Sequence, residues 1–289
     1  STEYYESLES AQEFITKEFY EKHCDKEQEP VVCCVGHTHI DCAWLWTLKV
    51  TEDKSVRSFS TVLNLMKEYP EYVFMSSQPQ LYKYVKKNAP DVYEQIKERV
   101  KEGRWEPDGG MFVEADCNLA SGEALVRQFM HGKKFFKDEF ETDNKILWLP
   151  DVFGYSAALP QIMQKCGIPY FMTTKISWNE LNKMPYDTFE WEGIDGSRVL
   201  THFIPTRDYN KAAVEGGTET EHFTTYNGFL NPSQMKGGWA RYSQKELNEE
   251  VLCSFGFGDG GGGPTKEQLE NQRRMSQGIP GCPRTKMST

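Results

Sequence analysis

His37-Thr38-His39-Ile40-Asp41 leaves the apolar run 31–35 with two imidazoles and a carboxylate inside five residues. At an extended strand end alternate side chains point the same way. His37, His39 and Asp41 therefore project together, or a two-residue subset does once the chain turns. Imidazole plus carboxylate is the donor set that Zn²⁺ and similar divalent ions take. The competing reading is a hydrogen-bonded histidine with no ligand role, which is common near strands. Trp44 and Trp46 follow in the same segment. A tryptophan pair is often core, but a flat apolar wall beside a polar centre suits a sugar ring.

Two more segments carry candidate chemistry. Asp151 stands directly after Pro150 and the run Ile146-Leu147-Trp148-Leu149. A carboxylate there can reach back to a metal held by His39 and Asp41, or it can serve as a helix N-cap, a position aspartate favours. Gly258-Asp259-Gly260-Gly261-Gly262-Gly263-Pro264-Thr265 follows another apolar run. No GK[ST] comes after it and no GxGxxG opens a helix, so phosphate-loop and dinucleotide readings are excluded. What remains is close backbone approach to a ligand around one carboxylate, or a flexible surface turn. Asp151 and Asp259 on one face match the acid and nucleophile pair of glycosidases.

Those groups need a frame that collects them. Seven short apolar runs recur, at 31–35, 72–75, 111–113, 146–149, 170–173, 199–204 and 251–257. Several are nearly continuous, as parallel strands covered on both faces are. Helical spacing fills the gaps: Leu81, Tyr84 and Val85, then Val92, Tyr93, Ile96 and Val100 beyond Pro90, and a stretch from Glu123 to Phe140 behind Ser121. Alternating strand and helix predicts an α/β fold. With polar clusters after each strand, the expectation is an irregular seven-stranded parallel (β/α)7 barrel with surrounding helices, its site at the C-terminal face. Residues 1–30 are expected as an N-terminal amphipathic helix attached to the barrel, and 31–289 as the barrel domain. The polar stretch 210–231 is expected as a long loop over the site.

Composition narrows the function class. The net charge is −10 and no basic stretch stands out, which argues against nucleic acid and anionic membranes as partners. No run approaches a membrane span. Eight cysteines show no CxxC spacing, so reduced thiols and a cytoplasmic address are expected.

His37 to Trp46, the segment Leu149-Pro150-Asp151-Val152-Phe153-Gly154-Tyr155-Ser156, and Gly258 to Thr265 together resemble glycoside hydrolase family 38, the class II α-mannosidases. The GDGGGGPT form is similar to the cytosolic and vacuolar branch and its bacterial relatives. The resemblance covers roughly residues 31–289. It implies a seven-stranded barrel, one Zn²⁺ or Co²⁺ per chain, retaining hydrolysis of terminal α-mannosides, and mannose-containing oligosaccharide as partner. A homo-oligomeric complete protein is compatible with it. By the same resemblance His39, Asp41 and Asp151 hold the metal, and Asp151 is also the nucleophile. Trp44 and Phe153 are aromatic walls of the mannose subsite. Lys175 falls where the Golgi branch has an arginine, and Tyr209 matches a tyrosine of the same site. Asp259 matches the acid/base region, where the Golgi branch has two adjacent carboxylates and this chain has one; Asp208 is the fallback. The family's fourth ligand is a downstream histidine that His23, His37, His131, His202 and His222 do not match. The chain is therefore expected to be a catalytic-barrel fragment, without the family's C-terminal domains, that binds metal poorly and has little activity alone. Two other functions fit HxH after a first strand: a metal-dependent deacetylase or amidohydrolase, and a non-catalytic sugar- or metal-binding module.

Overall fold

Six of the seven apolar runs become strands in the order expected, with three additions. A computed structural model describes residues 2–178, 182, 184–206 and 225–289. Its strands are β1 (Val31–His37), β2 (Phe74–Met75), β3 (Trp105–Glu106), β4 (Ile146–Trp148), β5 (Tyr170–Thr173), β6 (Thr188–Glu192), β7 (Arg198–Phe203), β8 (Glu250–Phe255) and β9 (Arg284–Met287). One sheet runs β3-β2-β1-β8, with β9 also on β1; the other runs β4-β5-β7-β6. All ladders are parallel except β6 on β7. β8 lies along one side of β1, from Val31 to Gly36. β9 and β2 share its other side, β9 beside Val31–Cys34 and β2 beside Gly36 and His37. Six of the seven β1 residues are buried, as a central parallel strand requires.

The strands thus form a five-stranded and a four-stranded sheet, where the sequence predicts one ring of seven. Among the described residues no ladder joins β7 to β8. The sheets touch through a parallel bridge between Gly109 and Leu147. They also share one buried cluster of Val35, Met75, Trp148, Met172 and Ile204.

The run 111–113 is not a strand. Gly109 (φ +148°) and Gly110 (φ +79°) turn the chain before it, and Phe112 N–H and Val113 N–H donate to the Gln128 backbone and side-chain oxygens instead. Its place in the sheet goes to Trp105 and Glu106, which pair with Phe74 and Met75. β6 and β9 have mixed polar sequences (TFEWE, RTKM), so no apolar run announces them.

Helices follow the expected periodicity. They are α1 (Thr2–Ile15), α2 (Leu48–Glu68), α3 (Pro79–Asn88), α4 (Pro90–Lys101), α5 (Gly122–Phe140), α6 (Leu159–Lys165), α7 (Pro232–Arg241) and α8 (Lys266–Met275). α5 starts where Ser121 Oγ accepts from Ala124 N–H at 3.2 Å, satisfying one of the free donors of its first turn. It buries Leu125, Phe129, Gly132, Phe136 and Phe140 at steps of three and four. Gly132 is needed there: a Cβ would lie 2.3 Å from the Gly110 carbonyl. Phe136 and Phe140 join Phe59, Phe74, Tyr82 and Trp105 in the largest core cluster. Trp105 Nε1–H donates to Tyr82 Oη at 2.8 Å, and Tyr82 donates to the Ser76 carbonyl at 3.0 Å. That chain of bonds fixes the end of β2, from which Ser77 and Gln78 lead to the site. α1 continues through short turns at Thr16–Tyr20 and Glu21–His23 and is exposed along nearly its whole length. Among the described residues no helix is long and apolar enough to cross a membrane.

Candidate active site

Because β1, β2, β3, β4, β5, β7 and β8 run parallel in their sheets, the segments after β1, β2, β4, β5 and β8 can be collected at one end of the fold. Gln78 ties the first of these together. Its Nε2 donates to the Ile40 carbonyl at 2.9 Å, and its Oε1 accepts from Glu114 N–H at 3.3 Å. The glycine-rich turn after β8 is clamped by reciprocal bonds of 2.9 Å between Phe257 and Gly263. Gly262 N–H donates to Ser58 Oγ, and Lys54 and Arg57 donate to the Gly260 carbonyl. A Cβ on Gly258 would meet Asn227 Oδ1 at 2.4 Å and His39 Cβ at 3.2 Å, and one on Gly261 would meet Ser58 Oγ at 2.6 Å. The glycines thus let the turn press onto the protein's own α2 and His39 segment, rather than forming a loose surface loop. Asp259 is held within it at φ +55°.

His39 is the centre of the arrangement. It is buried, and its Nδ1 bonds Glu114 Oε2 at 2.6 Å. The other Glu114 oxygen accepts from Ser77 Oγ at 2.7 Å. His39 Nε2 has no hydrogen-bond partner, yet lies 3.4 Å from Asp41 Oδ1 and 3.5 Å from Asp151 Oδ2. One donor atom from each of His39, Asp41 and Asp151 falls within 4.8 Å of the others. A carboxylate behind one imidazole nitrogen fixes the tautomer and turns the other nitrogen's lone pair outward, as metal-binding histidines require. The donor set and the orphaned Nε2 fit a divalent ion of the zinc type. Asp151 does not cap the next helix, whose N-cap is Ala158.

Electrostatics follow from these contacts. Burial by itself depresses the proton affinity of His39, but the attraction of Glu114, Asp151 and Asp41 carries it well above the usual histidine value. Burial likewise raises the Asp151 carboxyl, while His39 and Lys175 together bring it below the ordinary range. Lys175 Nζ is 2.5 Å from Asp151 Oδ1 and lies 4.8 Å from the Phe153 ring centroid.

His37, two residues before His39, has a different role. Its Nε2 bonds the Tyr226 backbone carbonyl, and its ring packs edge-on against Trp148 at 5.5 Å. Burial takes its proton affinity down to about 4. Of the HxHxD triplet, His39 and Asp41 converge with Asp151, and His37 does not.

A pocket of ≈ 350 Å³ opens above this centre, lined by Asp41, Trp44, Asp151, Phe153, Lys175 and Asp259 among others. Trp44 and Phe153 present exposed rings. Tyr209 and Asp208 lie outside the described residues. The sequence reading missed Tyr226, Glu114 and Ser77 as participants. Tyr226 Oη donates to Asp259 Oδ1 at 2.5 Å. Burial, then Asp259 and Asp151, push its phenol up, so it stays protonated. Glu114 follows Met111-Phe112-Val113, and an acid after a predicted strand was the available signal. Tyr226 lies in a polar stretch that offers none.

Comparison with known proteins shows which family the chain is similar to. The family model described as glycosyl hydrolases family 38 N-terminal domain matches residues 29–289. Alpha-mannosidase G of Dictyostelium discoideum is 43% identical over 277 residues, covering 96% of this chain and 24% of that protein. Alpha-mannosidase 2C1 of Homo sapiens is 44% identical over 275 residues, covering 95% and 25%. The chain thus spans about a quarter of the length of these relatives. A crystal structure of an alpha-mannosidase from Enterococcus faecalis V583 shares the fold, with TM-score 0.64 at 18% identity over 91% of this chain and 28% of that one. The chain belongs to glycosyl hydrolase family 38, and it matches that family's N-terminal domain.

Proposed function

We propose that the pocket is the core of a retaining, exo-acting α-mannosidase site in a cytoplasmic protein, with Asp151 as nucleophile and Asp259 as acid/base. The observation that carries this reading is His39 Nε2, aimed without a partner at Asp41 and Asp151 beneath a pocket that also holds Asp259 and two aromatic walls. His39, Asp41 and Asp151 would hold Zn²⁺ or Co²⁺, which supplies ligation of the sugar's vicinal hydroxyls. We also read the two sheets as parts of one irregular seven-stranded barrel, supported by the Gly109–Leu147 bridge and the cluster they share.

The residues divide the work as follows. Trp44 and Phe153 offer apolar faces to a sugar ring at the pocket mouth. Asp151, kept ionised by its neighbours, attacks the anomeric carbon and becomes esterified to the sugar. Asp259 first gives its proton to the departing glycosidic oxygen and then takes one from the water that cleaves the ester. Tyr226 donates to Asp259 Oδ1, which leaves Oδ2 as the oxygen that exchanges the proton. Asp151 and Asp259 line one pocket, and retaining glycosidases hold such a pair about 5–5.5 Å apart. The amidohydrolase alternative wants a second imidazole at the centre, and His37 is committed to the Tyr226 carbonyl.

The test is turnover of a nitrophenyl α-mannoside by the metal-loaded protein, against an acetylated oligosaccharide as the competing substrate. Proton NMR of the first-formed sugar should show retained configuration. Deacetylation without mannoside cleavage, or an inverted first product, would overturn the reading. Mannose affinity without turnover would leave only a binding module.

A further inference from the structure

His37 and His39 stand two residues apart at the end of β1, yet only His39 reaches the metal centre. His37 is 2% exposed, and its Nε2 faces the backbone carbonyl of Tyr226. A carbonyl only accepts, so Nε2 carries the hydrogen and donates it. Burial keeps the ring neutral above about 4. Ser254 Oγ donates to the same carbonyl at 3.3 Å. Val35 and Ser254 are partners in the β1–β8 ladder, so the two donors come from adjacent strands. Satisfying one carbonyl does not by itself call for both.

Tyr226 is buried but belongs to neither a helix nor a strand. Just beyond it, Gly228 N–H donates to the Ser254 carbonyl at 3.0 Å, and the Gly228 carbonyl accepts from Gly256 N–H at 3.3 Å. The segment is thereby docked along the end of β8. From that base the Tyr226 ring packs edge-on against His39, with centroids 5.4 Å apart. Its Oη ends on Asp259 Oδ1 at 2.5 Å. His37 also packs edge-on against this ring, at 6.4 Å. His37 thus grips the backbone end of a side chain whose far end holds the Asp259 carboxyl.

We propose that His37 is a positioning residue for the acid/base group, an inference that rests on the role given to Asp259 above. By holding the Tyr226 carbonyl it fixes where the phenol meets Oδ1, and so where Oδ2 stands to give its proton to the departing oxygen. The HxH spacing then divides its labour: His39 serves the metal and His37 serves the acid, with the Tyr226 ring against both. Ser254 keeps the carbonyl bonded when the imidazole is lost. A change at position 37 therefore acts on the direction of the phenol and leaves His39, Asp41 and Asp151 in place.

His37→Gln and His37→Asn separate reach from chemistry. Both place a carboxamide at this position, but the longer one carries its N–H as far as Nε2 and the shorter one stops before it. In protein labelled with carbon-13 at tyrosine Cζ, the Tyr226 resonance is identified by its loss in Tyr226→Phe. It should move in His37→Asn toward its position in Asp259→Ala, and stay in place in His37→Gln. For the metal-loaded protein, kcat/KM on phenyl α-mannoside, whose leaving group needs a proton, should fall about 10–100-fold in His37→Asn. On dinitrophenyl α-mannoside, whose leaving group needs none, it should change by less than about threefold. His37→Gln should recover most of the loss, and Zn²⁺ affinity by metal titration should be unchanged in both. His37→Met, which fills the space without a donor, should behave as His37→Asn does, so failure of one variant to fold leaves the other to decide. An unmoved Tyr226 resonance, equal losses on the two mannosides, no recovery in His37→Gln, or weakened Zn²⁺ binding would each overturn the assignment. Asp259→Ala tests the reading beneath it. If that variant loses both mannosides equally, or the parent protein cleaves neither, Asp259 is not the acid/base and the inference falls with it; if Asp259→Ala spares the dinitrophenyl substrate and His37→Asn does not, only the role of His37 fails.

Discussion

Two cavities of nearly equal size, an upper one over His39 and a lower one between the two sheets, are each lined by three carboxyl side chains near a histidine. At the upper pocket Asp151 has Lys175 and His39 beside it, and its carboxyl falls below the ordinary range despite burial. At the lower cavity Glu106 and Asp108 have no cationic side chain in the lining among the described residues, and burial drives both upward. The two histidines divide the same way. His39, ringed by acids, holds its proton well above the usual value, whereas His202, beside a hydroxyl, falls to about 4. Burial alone therefore predicts neither a carboxyl's charge nor its use; the counter-charge supplied by the next strand decides.

The sharpest way to break the comparison is at the upper pocket. Asp151→Asn keeps shape and removes the charge that the proposed mechanism uses for attack, so on that proposal kcat of the metal-loaded protein on a nitrophenyl α-mannoside should fall by roughly 10⁴-fold or more. A loss below tenfold would mean Asp151 is only structural. Glu114→Gln weakens the acceptor behind His39 Nδ1. Zn²⁺ or Co²⁺ affinity should drop about 10–100-fold, read by metal titration.

The lower cavity gives a pH test. Glu106 titrates near 4.5 when unfolded and about 7 when folded. Between those values the folded chain keeps a proton the unfolded chain has released, so this group's stabilising contribution declines as pH rises through that window. Glu106→Gln should flatten the decline and gain roughly 1–3 kcal/mol above neutral pH, measured as urea midpoints across pH. Asp108 leaves a smaller residual slope between 3.8 and about 6. The mildest effect belongs to the rim: Trp44→Ala should raise KM for the mannoside roughly two- to tenfold with kcat little changed, as loss of one aromatic contact does.

How much of this could be read in advance depended on whether a feature leaves a pattern in sequence. β1 and the acids and imidazoles after it were legible, because a continuous apolar run followed by donors at alternate positions has few other uses. Helix α5 was legible down to its cap at Ser121. β3 was not, since the apolar run 111–113 outweighs Trp105-Glu106, and only the glycine turn at 109–110 shows which pair joins β2. β6 and β9 carry more polar than apolar residues, so a search for continuous apolar runs passes over them, even though TFEWE alternates. His37 and His39 look equivalent by spacing. Which one faces Asp151 is set by a carbonyl nearly two hundred positions away, at Tyr226, and no local rule carries that information.

The backbone of Asp259 limits how this site could be re-engineered. Its φ of +55° lies in the left-handed region, where aspartate, asparagine and glycine sit readily and longer or branched side chains do so at a cost of about 1–2 kcal/mol. Lengthening this carboxylate by one methylene, as in Asp259→Glu, would have to work against the turn. Changes to how this carboxyl is held are easier to make at Tyr226, which donates to Asp259 Oδ1 from outside the loop, than at position 259 itself.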